Sequence, residues 1–179
     1  MTTTASQGQR RLDRVVRIAW EQVEKHGLVV DWDSALPPTT LALYAYSRAL
    51  EAGIILLHSR LRALPQQEAE AILHEAGHHC TISAIGVPGD CSVDYLANVL
   101  RRGERAASQW AAEQAIPFRE LEAVSADLRD SYDVADYFEC SHRFALTALK
   151  IYRGPYLGKQ GAVREDLIRL FARVEREKA

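Results

Sequence analysis

Cysteine, methionine and long apolar runs are all scarce in this sequence. Three cysteines cannot all pair within one chain, and Cys80, Cys91 and Cys140 are not spaced as a CxxC zinc pair or a disulfide framework. We therefore expect reduced thiols. No apolar run approaches the ~18 residues that a membrane span needs, and the amino-terminal residues lack the apolar segment of a secretory signal. These absences predict a cytoplasmic protein with no membrane partner.

An excess of charge of either sign is also lacking. The chain of 179 residues has 22 Lys and Arg against 24 Asp and Glu, for a net charge of -2. This balance argues against direct nucleic-acid binding through phosphate neutralisation. Hydrophobic residues make up 47% of the chain, which excludes a disordered protein. A chain of this length buries about 70% of its surface on folding, so we expect a real core.

The order of periodic segments predicts an α+β fold. Helical spacing of apolar residues indicates a first helix that ends at Gly27. Three short segments rich in β-branched and aromatic residues predict a small antiparallel or mixed sheet, over residues 28–32, 41–47 and 53–59. The remainder is mostly helical, with a helix over 66–81 packed on the sheet, a second over 103–115 and a helical subdomain over 118–152. Gly154 and Pro155 set off residues 153–179 as a helical appendage to a domain of residues 1–152.

The helix predicted over 66–81 contains the pattern HExxH. Residues four apart lie on one helix face, so His74 and His78 can present two imidazole nitrogens to one cation. Glu75 projects about 100° around the helix, where it can reach a water molecule at the metal. Two imidazoles, one carboxylate and a water suit Zn²⁺, which is the cofactor that we predict.

A catalytic zinc site needs a third protein ligand. The extended metzincin pattern would need Gly and His where this chain has Thr81 and Ala84, so that class is excluded. Glu104 is the best candidate, because it lies in line with Ala107, Ala111 and Ala115 on the apolar face of its helix, where an unpaired carboxylate would be costly to bury. Glu113 lies among polar residues and is interpreted as solvated.

Three runs of residues resemble one family of zinc metallopeptidases. They are HEAGHH from His74, the stretch from Glu104 to Ala112 with its Trp110, and the stretch from Ile116 to Leu121. Together with the later segments 134–138 and 141–144, they resemble the ImmA/IrrE family of phages and mobile elements, over about residues 54–152. The resemblance implies a zincin-like fold, with His74, His78 and Glu104 as zinc ligands and Glu75 as the general base.

The resemblance also implies a substrate, namely a helix-turn-helix repressor or antitoxin. We therefore expect a zinc-dependent endopeptidase that cleaves such a partner by metal-activated water. One alternative is a catalytically silent zinc-binding regulatory protein that acts by direct contact with a transcription regulator. A hydrolase with a non-peptide substrate is another.

Several further residues have two interpretations at the sequence level. The segment 53–59 is either an edge strand that binds an extended peptide or a central strand paired on both sides. Tyr95 and His142 are candidate oxyanion donors whose positions the sequence does not give. His79 is expected to point away from the metal, and Cys80 is expected in the core. Core positions are also expected for the three tryptophans, Trp20, Trp32 and Trp110.

Overall fold

The fold is α+β, with one mixed three-stranded sheet and mostly helical structure elsewhere. The computed structural model describes residues 13–82, 93–157 and 165–176. These divide into two compact units, one of residues 16–111 and one of residues 13–15 with the described residues from 112 onward. Within the described ranges, no helix is both long and apolar enough to span a bilayer.

The first unit contains the sheet and the HExxH helix. Its elements in chain order are α1 (Asp13–Lys25), β1 (Val29–Asp33), β2 (Ala42–Ser47), β3 (Ala52–His58), a 3₁₀-helix (Ser59–Ala63), α2 (Pro65–Ile82) and α3 (Val93–Ala115), of which α1 and α3 each have one end in the second unit. All three strands lie within a residue of the predicted segments. Gly27 follows α1 with a φ of 60°, a left-handed conformation that glycine adopts without strain.

The central strand of the sheet is β3. It pairs in parallel with β1 and antiparallel with β2, so the strand order is β1-β3-β2. The interpretation of residues 53–59 as an open edge is therefore wrong, and the alternative of a strand paired on both sides is correct. Its run of four apolar residues suits that position, because none of the four is exposed there. The open edges belong to β1 and β2.

Alternation along β3 places one face of the sheet against α2. Gly53, Ile55 and Leu57 are buried, while the residues between them are only half-buried. Helix α2 packs on β2 and β3, and its buried face contributes Ile72, Leu73 and Ala76. The HExxH helix is thus fixed on the sheet by its apolar stripe, as predicted.

Helix α3 is longer than predicted. It begins at Val93, whereas the sequence indicated a start at Gly103. Glycine in a helix interior costs about 1 kcal/mol relative to alanine, so local preference predicts a helix boundary there. Here Gly103 is buried within the helix, so packing offsets that cost.

The second unit is helical in its described residues. It contains α4 (Phe118–Val124), α5 (Ser131–Phe138), α6 (His142–Leu157) and α7 (Glu165–Arg176). Helix α6 continues past Gly154 and Pro155, which therefore do not end it as predicted. Helix α7, the last part of the predicted appendage 153–179, packs on α6 and buries Leu167, Leu170 and Phe171.

Candidate metal centre

The two histidines of HExxH face the same side of α2. Their ring centroids lie 4.8 Å apart and the rings meet edge to face. His78 is the more buried of the two, with 11% of its side chain exposed against 29% for His74. Burial lowers the pKa of His78, which favours the neutral imidazole that binds a metal.

Glu104 of α3 completes the cluster. One carboxylate oxygen, Oε2, lies 3.1 Å from His74 Nε2, and the other, Oε1, lies 3.3 Å from His78 Nε2. The donor atoms of the three side chains all lie within 4.8 Å of one another. Two imidazole nitrogens and one carboxylate form the donor set of a catalytic zinc site, so the residues present fit this ion.

The structure brings Glu104 next to both histidines, but the burial from which the sequence argument started is absent. Ala107, Ala111 and Ala115 are fully buried, as the sequence predicted. The side chain of Glu104 itself is 62% exposed, so the cost of burying a carboxylate does not arise. Glu104 instead lies at the exposed end of this stripe. Its carboxylate contacts both histidines while remaining in solvent. The cluster is therefore exposed to solvent on the Glu104 side.

A close contact between helices brings Glu104 to α2. Gly77, inside the HExxH motif, lies against the backbone of Ala107, three residues after Glu104. A Cβ atom at Gly77 would lie 2.5 Å from the Ala107 carbonyl oxygen and 2.9 Å from its Cα. Only glycine allows α2 and α3 to approach this closely. The sequence signal for this contact was the glycine between the two histidines.

Ser108 is a functional candidate that the sequence analysis missed. Its Oγ lies 3.4 Å from Nδ1 of His74, the ring nitrogen that faces away from Glu104. Histidines that bind metals usually hydrogen-bond through the second nitrogen, which fixes the tautomer and the ring orientation. The available signal was spacing, because Ser108 follows Glu104 by four residues and therefore shares its helix face.

Glu75 lies buried beside the cluster, with 8% of the residue exposed. Its carboxylate accepts a hydrogen bond from the backbone N–H of Tyr44 in β2. Burial raises the pKa of Glu75, while His74 and the Tyr44 N–H act in the opposite direction. A buried carboxylate with a raised pKa beside two imidazoles is suited to accept and release a proton. The structure does not make Glu75 a member of the donor cluster.

The outer edge of β2 lies next to Glu75 and pairs with none of the other described strands. The His58 N–H donates to the Leu41 carbonyl at 2.8 Å, which sets the alternation of hydrogen bonds along the antiparallel pair. With that alternation, the main-chain groups of Ala42, Tyr44 and Tyr46 point away from β3. Of these outward-pointing groups, the Tyr44 N–H donates a hydrogen bond to the Glu75 carboxylate.

The other candidates are not members of the donor cluster. Nδ1 of His79 is 2.9 Å from the Tyr44 hydroxyl, as expected for a residue outside the donor set. Cys80 is half-exposed and 3.6 Å from His26 Nε2, so the expected core position is wrong. His142 belongs to the second unit, where Nε2 lies 2.7 Å from Ser131 Oγ.

The remaining sequence predictions concern tryptophans, cysteines and Tyr95. None of the three tryptophans is a buried core residue. Trp20 is 38% exposed and pairs with the half-buried Trp32 at 6.4 Å between ring centroids, while the half-buried Trp110 meets the edge of the His26 ring. Among the described residues, neither Cys80 nor Cys140 forms a disulfide. Cys91 and the side chain of Tyr95 lie outside the described residues.

Comparisons with known proteins add no assignment to this geometry. The chain matches no protein-family model, no curated protein and no solved structure. A function is therefore inferred from the residues of the first unit and their arrangement.

Proposed function

We propose that this protein is a zinc-dependent endopeptidase with a zincin-like site. The observation that carries the proposal is the convergence of His74 Nε2, His78 Nε2 and the Glu104 carboxylate, donated by two helices, beside the buried carboxylate of Glu75. A structural zinc site is usually closed by four protein ligands, whereas three ligands with an open side are typical of catalytic zinc. A buried glutamate outside the donor set has a role in hydrolysis and none in simple metal retention.

Each residue of the site has a distinct part in the hydrolysis. His74, His78 and Glu104 hold the ion. When bound, zinc supplies a Lewis acid that polarises the scissile carbonyl and favours deprotonation of a water molecule. Glu75 takes the proton from the attacking water as the oxygen bonds to the carbonyl carbon. As the C–N bond breaks, Glu75 passes that proton to the leaving amine.

The open edge of β2 supports a peptide as substrate. Main-chain groups of Ala42 and Tyr46 face outward. They flank the Tyr44 N–H, which donates a hydrogen bond to Glu75. An extended chain can add to such an edge through main-chain hydrogen bonds. This assigns to β2 the substrate strand that the sequence suggested for residues 53–59. A flexible segment of the substrate would be required, because a folded helix cannot pair in this way.

Resemblance to the ImmA/IrrE family supports the same activity and adds a partner. The motif residues on which the resemblance depends include all four residues of the proposed site. By this resemblance we propose a helix-turn-helix repressor or antitoxin as the substrate. The alternative of a silent zinc-binding regulator keeps the ion and the partner but gives no role to the proton transfer of Glu75.

The test is co-expression with a candidate helix-turn-helix repressor or antitoxin. We expect wild-type protein to remove the full-length partner and Glu75→Gln to leave it intact, while both purified proteins contain one equivalent of zinc. Glu70→Gln removes a carboxylate from the same helix and serves as the matched control. Partner cleavage by Glu75→Gln, with zinc retained, would contradict the assigned base. Binding of the partner without cleavage by either protein would favour the silent regulator.

A further inference from the structure

The Tyr44 side chain links the edge strand to the HExxH helix. Its hydroxyl lies 2.9 Å from Nδ1 of His79, and the two rings meet edge to face with centroids 5.6 Å apart. His79 follows Glu75 by four residues, so both side chains leave α2 on the same face. A single residue of β2 therefore contacts α2 twice, through its backbone N–H at Glu75 and through its hydroxyl at His79.

Two neighbouring residues, Gly53 and His26, surround the contact between Tyr44 and His79. Gly53 of β3 lies directly beside the pair, and a Cβ atom there would lie 2.9 Å from Tyr44 Cε2 and 3.0 Å from His79 Nδ1. The His79 ring also meets the His26 ring edge to face, with centroids 6.0 Å apart. The absence of a side chain at Gly53 and the support from His26 hold His79 where the Tyr44 hydroxyl can reach it.

The hydrogen bond matters because β2 is an edge strand. Its N–H at Tyr44 points away from β3, and no other strand in the described part of the chain pairs with it. The position of this N–H relative to Glu75 then depends on what ties β2 to α2.

We propose that His79 is a positioning residue, which holds the Tyr44 N–H on the Glu75 carboxylate through the Tyr44 hydroxyl. The proposal rests on the function proposed for Glu75, and it adds a role for the histidine that follows HExxH. In this arrangement His79 and Tyr44 orient the general base without contacting the ion or the substrate.

The test measures amide hydrogen exchange by NMR on the whole protein, with zinc added as the ion alone. We expect Glu75→Ala to speed exchange at the Tyr44 amide, because the carboxylate is its acceptor. His79→Phe and Tyr44→Phe should speed it by about three- to tenfold, the effect of losing one ordinary hydrogen bond. The double variant should be no faster than either single variant, and His79→Gln, which can still bond the hydroxyl, should restore slow exchange.

Two controls separate positioning from a general loosening of β2. Tyr46→Phe removes a hydroxyl from an exposed tyrosine on the same strand and should leave Tyr44 exchange unchanged. The His58 amide, which pairs β3 with the start of β2, should keep its wild-type exchange in His79→Phe. Equal acceleration at His58 and Tyr44 would show that His79 only stabilises the strand and would overturn the proposal.

Catalysis gives a second, separate readout. If Glu75 is the base, His79→Phe should lower kcat by about three- to tenfold with little change in KM or zinc content. Wild-type hydrogen exchange at the Tyr44 amide in His79→Phe would contradict the positioning role, whatever the cleavage activity of that variant. Accelerated exchange in His79→Phe together with full cleavage by Glu75→Gln would instead sink the proposed function and leave the hydrogen-bond link standing.

Discussion

At the scale of single residues, the candidate site depends on a carboxylate that remains exposed. Glu104 contacts both histidines and still has 62% of its side chain in solvent. An exposed ligand contributes to metal binding without contributing much to the core. Loss of its side chain should therefore separate metal affinity from folding.

Glu104→Ala should weaken zinc binding by more than the ~10–100-fold typical of losing an outer partner, because it removes a direct ligand. The thermal unfolding midpoint of the metal-free protein should change little. Competition with a chelating dye measures the affinity, and Glu113→Ala on the same helix is the control. Unchanged zinc affinity in Glu104→Ala would remove this residue from the ligand set.

Ser108→Ala should weaken zinc binding by about tenfold, at the low end for loss of a partner to a metal-bound histidine. The Oγ atom lies near Nδ1 of His74, so its removal leaves that ring freer to turn. Ser108→Thr keeps the hydroxyl and should keep most of the affinity. If Ser108→Ala and Ser108→Thr bound zinc equally well, the serine would have no part in orienting His74.

At the scale of elements, the pairing of α2 with α3 forms the cluster. His74 and His78 belong to one helix and could be placed together from their spacing alone. Glu104 comes from another helix, and the approach of the two backbones at Gly77 and Ala107 determines its distance. The geometry of the site is therefore a property of helix packing.

Gly77→Ala should destabilise the protein by about 1–3 kcal/mol, the usual cost of overpacking, and should also weaken zinc binding. The added Cβ meets a carbonyl oxygen, so the helices must separate and carry Glu104 away from the histidines. Gly154→Ala in α6 has open space and is the control. Adding Ala107→Gly should not restore the stability of Gly77→Ala, because the new Cβ clashes with the backbone of residue 107 and not with its side chain. Wild-type stability and zinc affinity in Gly77→Ala would show that α2 and α3 accommodate the added Cβ without moving Glu104.

The start of α5 gives a prediction about pH. Arg129 donates to Asp133 at 2.8 Å from both its backbone N–H and Nε, and these bonds lower the pKa of Asp133 to about 2 from 3.8. The folded pKa is the lower one, so this stabilisation is present above pH ~4 and is lost as the pH falls towards 2.

Asp133→Asn should lower the thermal unfolding midpoint slightly at pH 7, by about 2 °C or less, because the pair is exposed. The difference from wild type should shrink below pH 4 and vanish near pH 2. Differential scanning calorimetry across this range measures it. A difference that stayed constant down to pH 2 would show that the ionised carboxylate is not responsible.

The elements themselves were largely predictable, and their misassigned ends have local causes. Apolar periodicity located all three strands and the HExxH helix within about a residue. The helix ends predicted at Gly103 and Pro155 are wrong, because both residues usually interrupt helices and both lie inside helices here. At the buried Gly103, tertiary packing outweighs local preference, whereas Pro155 is exposed near the end of its helix.

At the scale of the whole molecule, the candidate site lies within the unit of residues 16–111. A ligand that binds only the folded state stabilises it in proportion to its concentration over its Kd. Zinc should therefore stabilise the structure that brings α2 and α3 together.

Zinc at 100 times its Kd should slow hydrogen exchange by about 100-fold at amides that exchange through opening of this structure, a stabilisation of about 2.7 kcal/mol. We expect the effect over residues 71–80 and 104–111, measured by mass spectrometry of metal-free and zinc-loaded protein. His78→Ala should show no response to zinc. Protection by zinc in His78→Ala equal to that in wild type would place the ion elsewhere.

Local sequence patterns account for the elements and for one half of the candidate site. Helical periodicity, glycine stops and β-rich segments specify local structure, and the spacing of His74 and His78 places two donors on one face. Strand order and the exposure of Glu104 came only from the tertiary structure. So did the contacts of Ser108, Tyr44 and His79. The physical reason is that these features depend on distances between elements far apart in the chain, which side-chain packing decides and local sequence does not encode.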